Sequence, residues 1–288
     1  ILPVLIYLFL FCYKPMYGLV IAFKDYKITR GIDGSSWSNP WYKWFLNFFT
    51  DPYFGRLLKN TFMISGLTIL FGFPAPIILA LMINEVKNSA FKRTVQTITY
   101  MPYFISMVVL CGLLKTFCMQ DGLFAQVAVL FGGKAQNYLA NPAYFRTIYV
   151  LSDIWSGIGW NSIIYLAALS SIDQEQYEAA RVDGANRFKQ MIHITLPGLV
   201  PTIMVLFILR MGNILNVGYE KILLLYNSAT YSTADVISTY TYRLSFGGSG
   251  NPMYSKSTAI GLFNTIINVF FLMLTNMISK KATDAGLF

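Results

Sequence analysis

Two groups of polar residues stand inside apolar stretches of this chain, where a polar side chain is costly unless it lines a cavity or a helix interface. The first is Asp153, Ser156, Gly157 and Trp160, within residues 145–171. Spacings of three, four and seven put all four on one helix face. The second is Arg210, Asn213 and Asn216, three apart on another stripe, with Gly212 opening space beside it. Asn and Asp side chains exchange hydrogen bonds with hydroxyl groups, and an aromatic face covers the apolar face of a pyranose ring. A few such groups in an otherwise apolar site fix a ligand's orientation. The competing reading is structural: Asp153 and Arg210 pair with each other or with a neighbouring helix and serve packing alone.

No catalytic set accompanies these stripes. "GGKA" at residues 132–135 lacks the Ser or Thr that a phosphate-binding loop needs after its Lys. There is no HExxH, no GxSxG with partners, and no acid pair on a shared helix face. The chain is therefore expected to hydrolyse no ATP, to hold no metal and to carry no cofactor. The three cysteines have no metal spacing and no CxxC, so a disulfide framework is unsupported.

The elements that must position the stripes follow from composition. Of 288 residues, 55% are hydrophobic and 12% charged, against about 25% charged in an average soluble domain. Long apolar runs predict an all-α, polytopic membrane protein, a single transmembrane domain over residues 1–288. Six spans are expected: residues 1–23, 57–84, 94–117, 145–171, 195 to about 226, and 258–279. Pro74 and Pro76 should kink the second span, and the third should break near Met101 and Pro102. Residues 37–49 hold three Trp and several Phe, which suits a helix in the membrane interface. "GGSGNP" at residues 247–252 reads as flexible. The chain begins without Met inside an apolar run, as expected of a trimmed N-terminus. The formal charge of +9 fits loops facing the cytoplasm and anionic lipid. Basic residues are scattered, which argues against nucleic acid.

One long polar stretch interrupts the central apolar chain, residues 172–197. It holds Glu178, Arg181, Asp183, Arg187 and Lys189, with Ala179, Ala180, Val182, Phe188, Ile192 and Leu196 between them. Helix formers on both sides of Gly184 predict two short helices meeting at a tight turn, with Pro197 closing the stretch. Asp173 and Glu175 read as a cap. Ala179 and Ala180 keep one face thin enough to enter a partner's groove, and Glu178 and Arg181 can pair with charges at its rim.

The run "EAARVDGANRF…ITLP" resembles the EAA loop of permease subunits of binding-protein-dependent ABC importers. "PMYGLVIAFKDY", "FGFPAPIILALMINEV" and "TADVISTYTYR" are similar to the oligosaccharide and polysaccharide branch, with maltose-type permeases. The resemblance implies a type I importer fold and a cytoplasmic loop that docks as a coupling helix on a separate ATPase. Glu178, Ala179, Ala180, Asp183, Gly184 and Pro197 would make that contact. Matching distances before and after Glu178 imply that Asp153, Ser156, Gly157, Trp160, Asn213 and Asn216 hold the transported sugar. The implied partners are a second, related permease, two ATP-binding subunits carrying ATP and Mg, an extracytoplasmic sugar-binding protein and membrane lipid. Arg210, with Arg243 and Lys221, points to an acidic sugar such as a uronate oligomer, although the same charges would serve lipid headgroups or ion pairs. The alternative is a secondary sugar carrier driven by an ion gradient, for which Asp153 is the one plausible coupling acid.

Overall fold

The structure is a computed structural model that describes residues 1–247, 252–283 and 286–287; most of the expected flexible run at 247–252 lies outside these. It is built from helices, and among the described residues the only β pairings are two isolated bridges in the first extramembrane loop. The helices used below are α1 (Phe54–Leu67), α2 (Pro74–Glu85), α3 (Ser89–Tyr100), α4 (Met107–Cys118), α5 (Pro142–Ser170), α6 (Gln174–Val182), α7 (Leu196–Met211), α8 (Tyr219–Leu225), α9 (Ile237–Phe246) and α10 (Tyr254–Thr283).

Among the described residues, five helical segments are long and apolar enough to cross a membrane: Leu2–Phe23, Phe54–Glu85, Met107–Leu130, Arg187–Met211 and Tyr254–Thr283. The sixth long helix is α5, of 29 residues, about 43 Å at 1.5 Å per residue. It is the central post, packed against α2, α3 and α7. The approach of α3 is close enough that a Cβ on Gly159 would collide with the carbonyl of Thr99.

Proline chemistry shapes these helices. A proline lacks its N–H and crowds the preceding turn. Pro15, Pro74 and Pro197 each follow a widened π-type turn, Phe9–Tyr13, Thr68–Gly72 and Met191–Thr195 respectively. The expected kink at Pro74 takes this form, and the chain continues as helix across it.

The third span breaks at Pro102 as expected: α3 ends at Tyr100, a 3₁₀ turn covers Met101–Phe104, and Ser106 caps α4. The apolar segment then runs on through Leu123–Leu130 rather than ending at Phe117. Two other expected boundaries need correction. The fifth span ends at Met211 rather than near Tyr226, because residues 212–218 leave the helix before α8 resumes. Pro197 likewise does not close the polar stretch; it sits in the first turn of α7, continuous with the helix before it.

The first extramembrane loop is tied to α10 by Asp51. Lys256 Nζ lies 2.6 Å from Asp51 Oδ2, and the two side chains are 7% and 8% exposed. The Tyr240 hydroxyl and the Tyr53 N–H also donate to this carboxylate. Burial pushes Asp51 upward, but the bonds from Lys256, Tyr240 and Tyr53 outweigh it and hold the carboxyl below its ordinary value. A carboxylate depressed in the folded state stabilises fully above its unfolded pKa, and that stabilisation is lost as pH falls through the folded value. Melting temperature in detergent should therefore drop as pH is lowered from about 5. Asp51→Asn, which leaves Lys256 buried without its counter-ion, should cost about 3–5 kcal/mol at neutral pH and flatten the acid limb. An acid limb as steep in the variant as in the parent would show that another carboxylate sets it.

Candidate functional site

The site forms where α7 stops. Its last turn closes on Gly212, and Asn213 and Ile214 bond back to the carbonyls of Arg210 and Met211. A chain that leaves the helix inside a membrane must satisfy its backbone groups within the protein. Ser65 Oγ donates to the carbonyl of Ile214, and Leu215 N donates to Asn268 Oδ1 at 3.0 Å. The chain then turns back as α8 and inserts Lys221 against α5.

Lys221 is 1% exposed. Its ammonium donates to the Tyr149 carbonyl at 3.1 Å and to Asp153 Oδ1 at 3.3 Å, and lies 4.5 Å from the centre of the Tyr149 ring. Asp153 thus pairs with Lys221, and the expected alternative of an Asp153–Arg210 pair is not formed. Arg210 has no ion pair or side-chain hydrogen bond among the described residues.

Two polar chambers meet at these residues. The outer, about 330 Å³, is lined by Tyr149, Arg210, Asn213, Asn216, Tyr219 and Lys221, among others. The inner, about 230 Å³, runs past Gly72, Phe73, Gly157 and Asn161 toward Tyr165. Thr68, Asp153 and Arg210 line both. Thr68 belongs to the π-type turn that precedes Pro74, so the widened backbone of the second span faces the junction. A larger cavity of about 600 Å³ between α4 and α5 is walled by Leu, Phe and Trp155 and has no charged lining.

Of the residues singled out from sequence, Asp153, Gly157, Arg210, Asn213 and Asn216 line the chambers. Asn216 Nδ2 donates to Asn213 Oδ1 at 3.1 Å, so the two amides form one polar edge. Ser156 turns back to the Asp153 carbonyl at 3.2 Å. Trp160 lies flat on Tyr103, with centroids 4.6 Å apart and planes 4° from parallel; its helical spacing matched Asp153, but Tyr103 and Phe104, in the turn after α3, claim its ring. Sequence reasoning did not single out Thr68, Asn161 or Tyr219. Thr68 and Asn161 are polar residues in apolar spans, which was the available signal.

The polar stretch at the opposite end folds as two helical pieces about Gly184, as its sequence predicts. Asp173 Oδ1 accepts from Glu175 N at 3.0 Å and caps α6. Gly184 has φ +75°, and Ala185 N and Gly184 N bond to the carbonyls of Ala180 and Arg181 at 2.8 and 3.1 Å. This left-handed closure favours Gly. The loop is braced on the bundle by Tyr177 Oη to Thr195 Oγ1 at 3.0 Å and Arg187 to Glu85 at 3.4 Å. Glu178, Ala179, Asp183, Gly184 and Pro197 are exposed and Ala180 is half-buried. Val182 and Phe188 are 89% and 64% exposed, an apolar pair presented outward. His193 bonds only locally, to the Lys189 carbonyl.

The Asp153–Lys221 pair is asymmetric: the Lys221 side chain is 2% exposed and that of Asp153 42%. Removing the wetter partner strands a buried cation, whereas removing the cation leaves a carboxylate that water reaches. Asp153→Ala should therefore destabilise by about 3 kcal/mol, and Lys221→Met by clearly less. Thermal unfolding of both purified variants in one detergent tests this; the reverse order would contradict the burial argument.

Residues 72–284 match the family model described as "Binding-protein-dependent transport system inner membrane component". The chain is 43% identical over its whole length to protein LplB of Bacillus subtilis (strain 168), covering 89% of that protein. It is also 43% identical to the polygalacturonan/rhamnogalacturonan transport system permease protein YteP of the same organism, covering 88% of it. Among solved structures, a bacterial alginate ABC transporter in complex with alginate pentasaccharide-bound periplasmic protein matches 99% of this chain and 94% of its own. That match has 44% identity and a TM-score of 0.90. Family and fold together displace the ion-coupled carrier, and the chain belongs to the binding-protein-dependent transport system inner membrane components, as a multi-pass permease of the bacterial cytoplasmic membrane with the type I ABC importer fold.

Proposed function

We propose that this permease passes an acidic oligo- or polysaccharide through the two chambers joined at Asp153 and Arg210. The observation that carries this is Arg210, a guanidinium at the junction with its donors unclaimed, beside an Asp153 whose charge is already matched by Lys221. A guanidinium binds a carboxylate through two parallel bonds. Asn213, Asn216, Ser156, Gly157 and Trp160 are the remaining members of the proposed pathway, the first two as hydroxyl-binding amides. One solved relative is described as importing the acidic polysaccharide alginate, and YteP is named for polygalacturonan and rhamnogalacturonan, which supports an acidic substrate here.

ATP hydrolysis belongs, in this reading, to two ATP-binding subunits that hold ATP and Mg. Glu178, Ala179, Ala180, Asp183 and Gly184 dock on them as a coupling helix, with Val182 and Phe188 as its apolar contacts and Pro197 carrying the movement into α7. Residues 1–288 act as one transmembrane domain. A second, homologous permease completes the pathway; residues 2–16 of the first apolar segment, exposed on this chain, fit cover by lipid and by that subunit. An extracytoplasmic saccharide-binding protein delivers the substrate and favours the outward-open state by its differential affinity for it.

Two measurements test this. Solubilised permease should retain its ATPase subunits on an affinity column, while Glu178→Lys reverses a rim charge and Gly184→Asp strains a left-handed turn; each should lose most of the captured ATPase. Equal capture by the parent and both variants would remove the coupling role. Arg210→Gln should lower uptake of labelled oligogalacturonides and alginate oligosaccharides by about 10- to 100-fold, the worth of a hydrogen bond to a charged group. Arg210→Lys should restore part of it, and neutral oligosaccharides should lose far less. Similar losses on neutral and acidic substrates would remove Arg210 as a carboxylate reader.

A further inference from the structure

Tyr219 is one wall of the outer chamber, and its ring does not end there. It stacks on Tyr242 of α9 at a centroid distance of 5.8 Å and 28° between planes. Tyr242 in turn meets Phe246, one helical turn on, at 5.4 Å. The three rings come from two helices held together by Ser238 Oγ donating to the Val217 carbonyl at 3.1 Å. They are 40%, 40% and 70% exposed. The stripe therefore starts inside the chamber that holds Arg210, Asn213 and Asn216 and runs outward along α9.

From this continuity we infer that Tyr219, Tyr242 and Phe246 form an aromatic entry track on which successive sugar rings of an incoming saccharide stack before the leading unit reaches Arg210. The C–H face of a pyranose carries a slight positive charge and packs on the negative face of an aromatic ring. The ring-to-ring steps are comparable with the repeat of a pyranose chain, so adjacent units can engage adjacent rings. The three rings themselves carry no charge; beside them Glu220 lines the outer chamber and accepts from the Tyr219 hydroxyl at 3.5 Å. Arg243, on α9, spends its guanidinium on Asp235, with both Nη–Oδ distances 2.7 Å. Recognition on the track is therefore of ring faces and chain length, and charge is read further in, at Arg210. Trp160, the aromatic that the spacing pattern favoured for stacking, is not equivalent, because it lies off both chambers, against Tyr103 and Phe104.

The inference rests on the saccharide reading above, and its test separates the two. Labelled oligogalacturonides of two to five sugars are presented to cells carrying the complete transporter, with permease amounts matched by immunoblot. Tyr242→Ala should raise the half-saturating concentration for tetra- and pentasaccharides about 3- to 10-fold and leave the disaccharide within about twofold. Tyr242→Phe, which keeps the ring, should behave as the parent, and Phe246→Ala should affect only the longest chains. Parental uptake with losses independent of chain length, or with none, overturns the track and leaves the saccharide reading standing; length-independent losses would instead mark this face as a protein contact. No uptake of any of these saccharides or of alginate oligosaccharides by the parent overturns both.

Discussion

A lysine ammonium placed in the apolar part of a membrane protein decides much of what surrounds it. Lys221 is almost wholly buried, and its charge is tolerable only because a carboxylate, a carbonyl oxygen and an aromatic face converge on it. Each of those partners belongs to α5, within residues 149–153, so the ion pair fixes where α8 lies against α5. That position in turn requires the chain to leave helix α7 at Met211 and to return within a few residues. The exposed backbone of the return is satisfied by Ser65 and Asn268, from helices that face it. The chambers are the space left beside this broken helix. Non-helical backbone at membrane depth is tolerated where it lines a cavity or is buried in protein, and both conditions hold here.

Proline acts as a second organising device, and its effect is milder than a break. Each of Pro15, Pro74 and Pro197 is accommodated by widening the preceding turn rather than by ending the helix. The widened turn before Pro74 places Thr68 and Gly72 on the chambers. The one before Pro197 joins the cytoplasmic loop to α7 without an interruption, which makes Arg187–Met211 a single run of 25 residues. Pro102 behaves differently because Ser106 offers a competing helix start, its side chain accepting from Val109 N. At Pro102 a following capping residue gave two helices; at Pro74 and Pro197, with no such cap, the helix continued through a bulge.

The apolar runs and the Gly184 turn were legible because hydropathy and left-handed glycine geometry are local properties. So were five of the chamber residues, since a polar side chain in a long apolar span has few places to go. The end of α7 was missed. Gly212, Asn213, Asn216 and Gly218 signal irregular backbone, but Ile214, Leu215 and Val217 between them kept the expected span running to about Tyr226. The fate of Trp160 was equally out of reach, because helical spacing fixes the direction of a side chain but not the neighbour it meets. Sequence offered Asp153 two kinds of partner, Arg210 or a residue of a neighbouring helix. Choosing between them needed the return of α8, a tertiary fact.

That choice bears on how movement could reach the site. The two helices that supply the junction, α5 and α7, are the same two that flank the cytoplasmic loop, and α7 spans from the loop to Arg210 as a continuous rod. Asp153 is anchored through α8, not α7. A displacement of the loop that tilts α7 can therefore shift Arg210 relative to Asp153 without breaking the buried pair, which is the costly interaction to disturb. Had Asp153 paired with Arg210 directly, the same tilt would have had to separate two charges at the junction on every cycle. Placing the structural cation on α8 leaves the guanidinium on α7 without an ion pair among the described residues, so its position is not tied to Asp153.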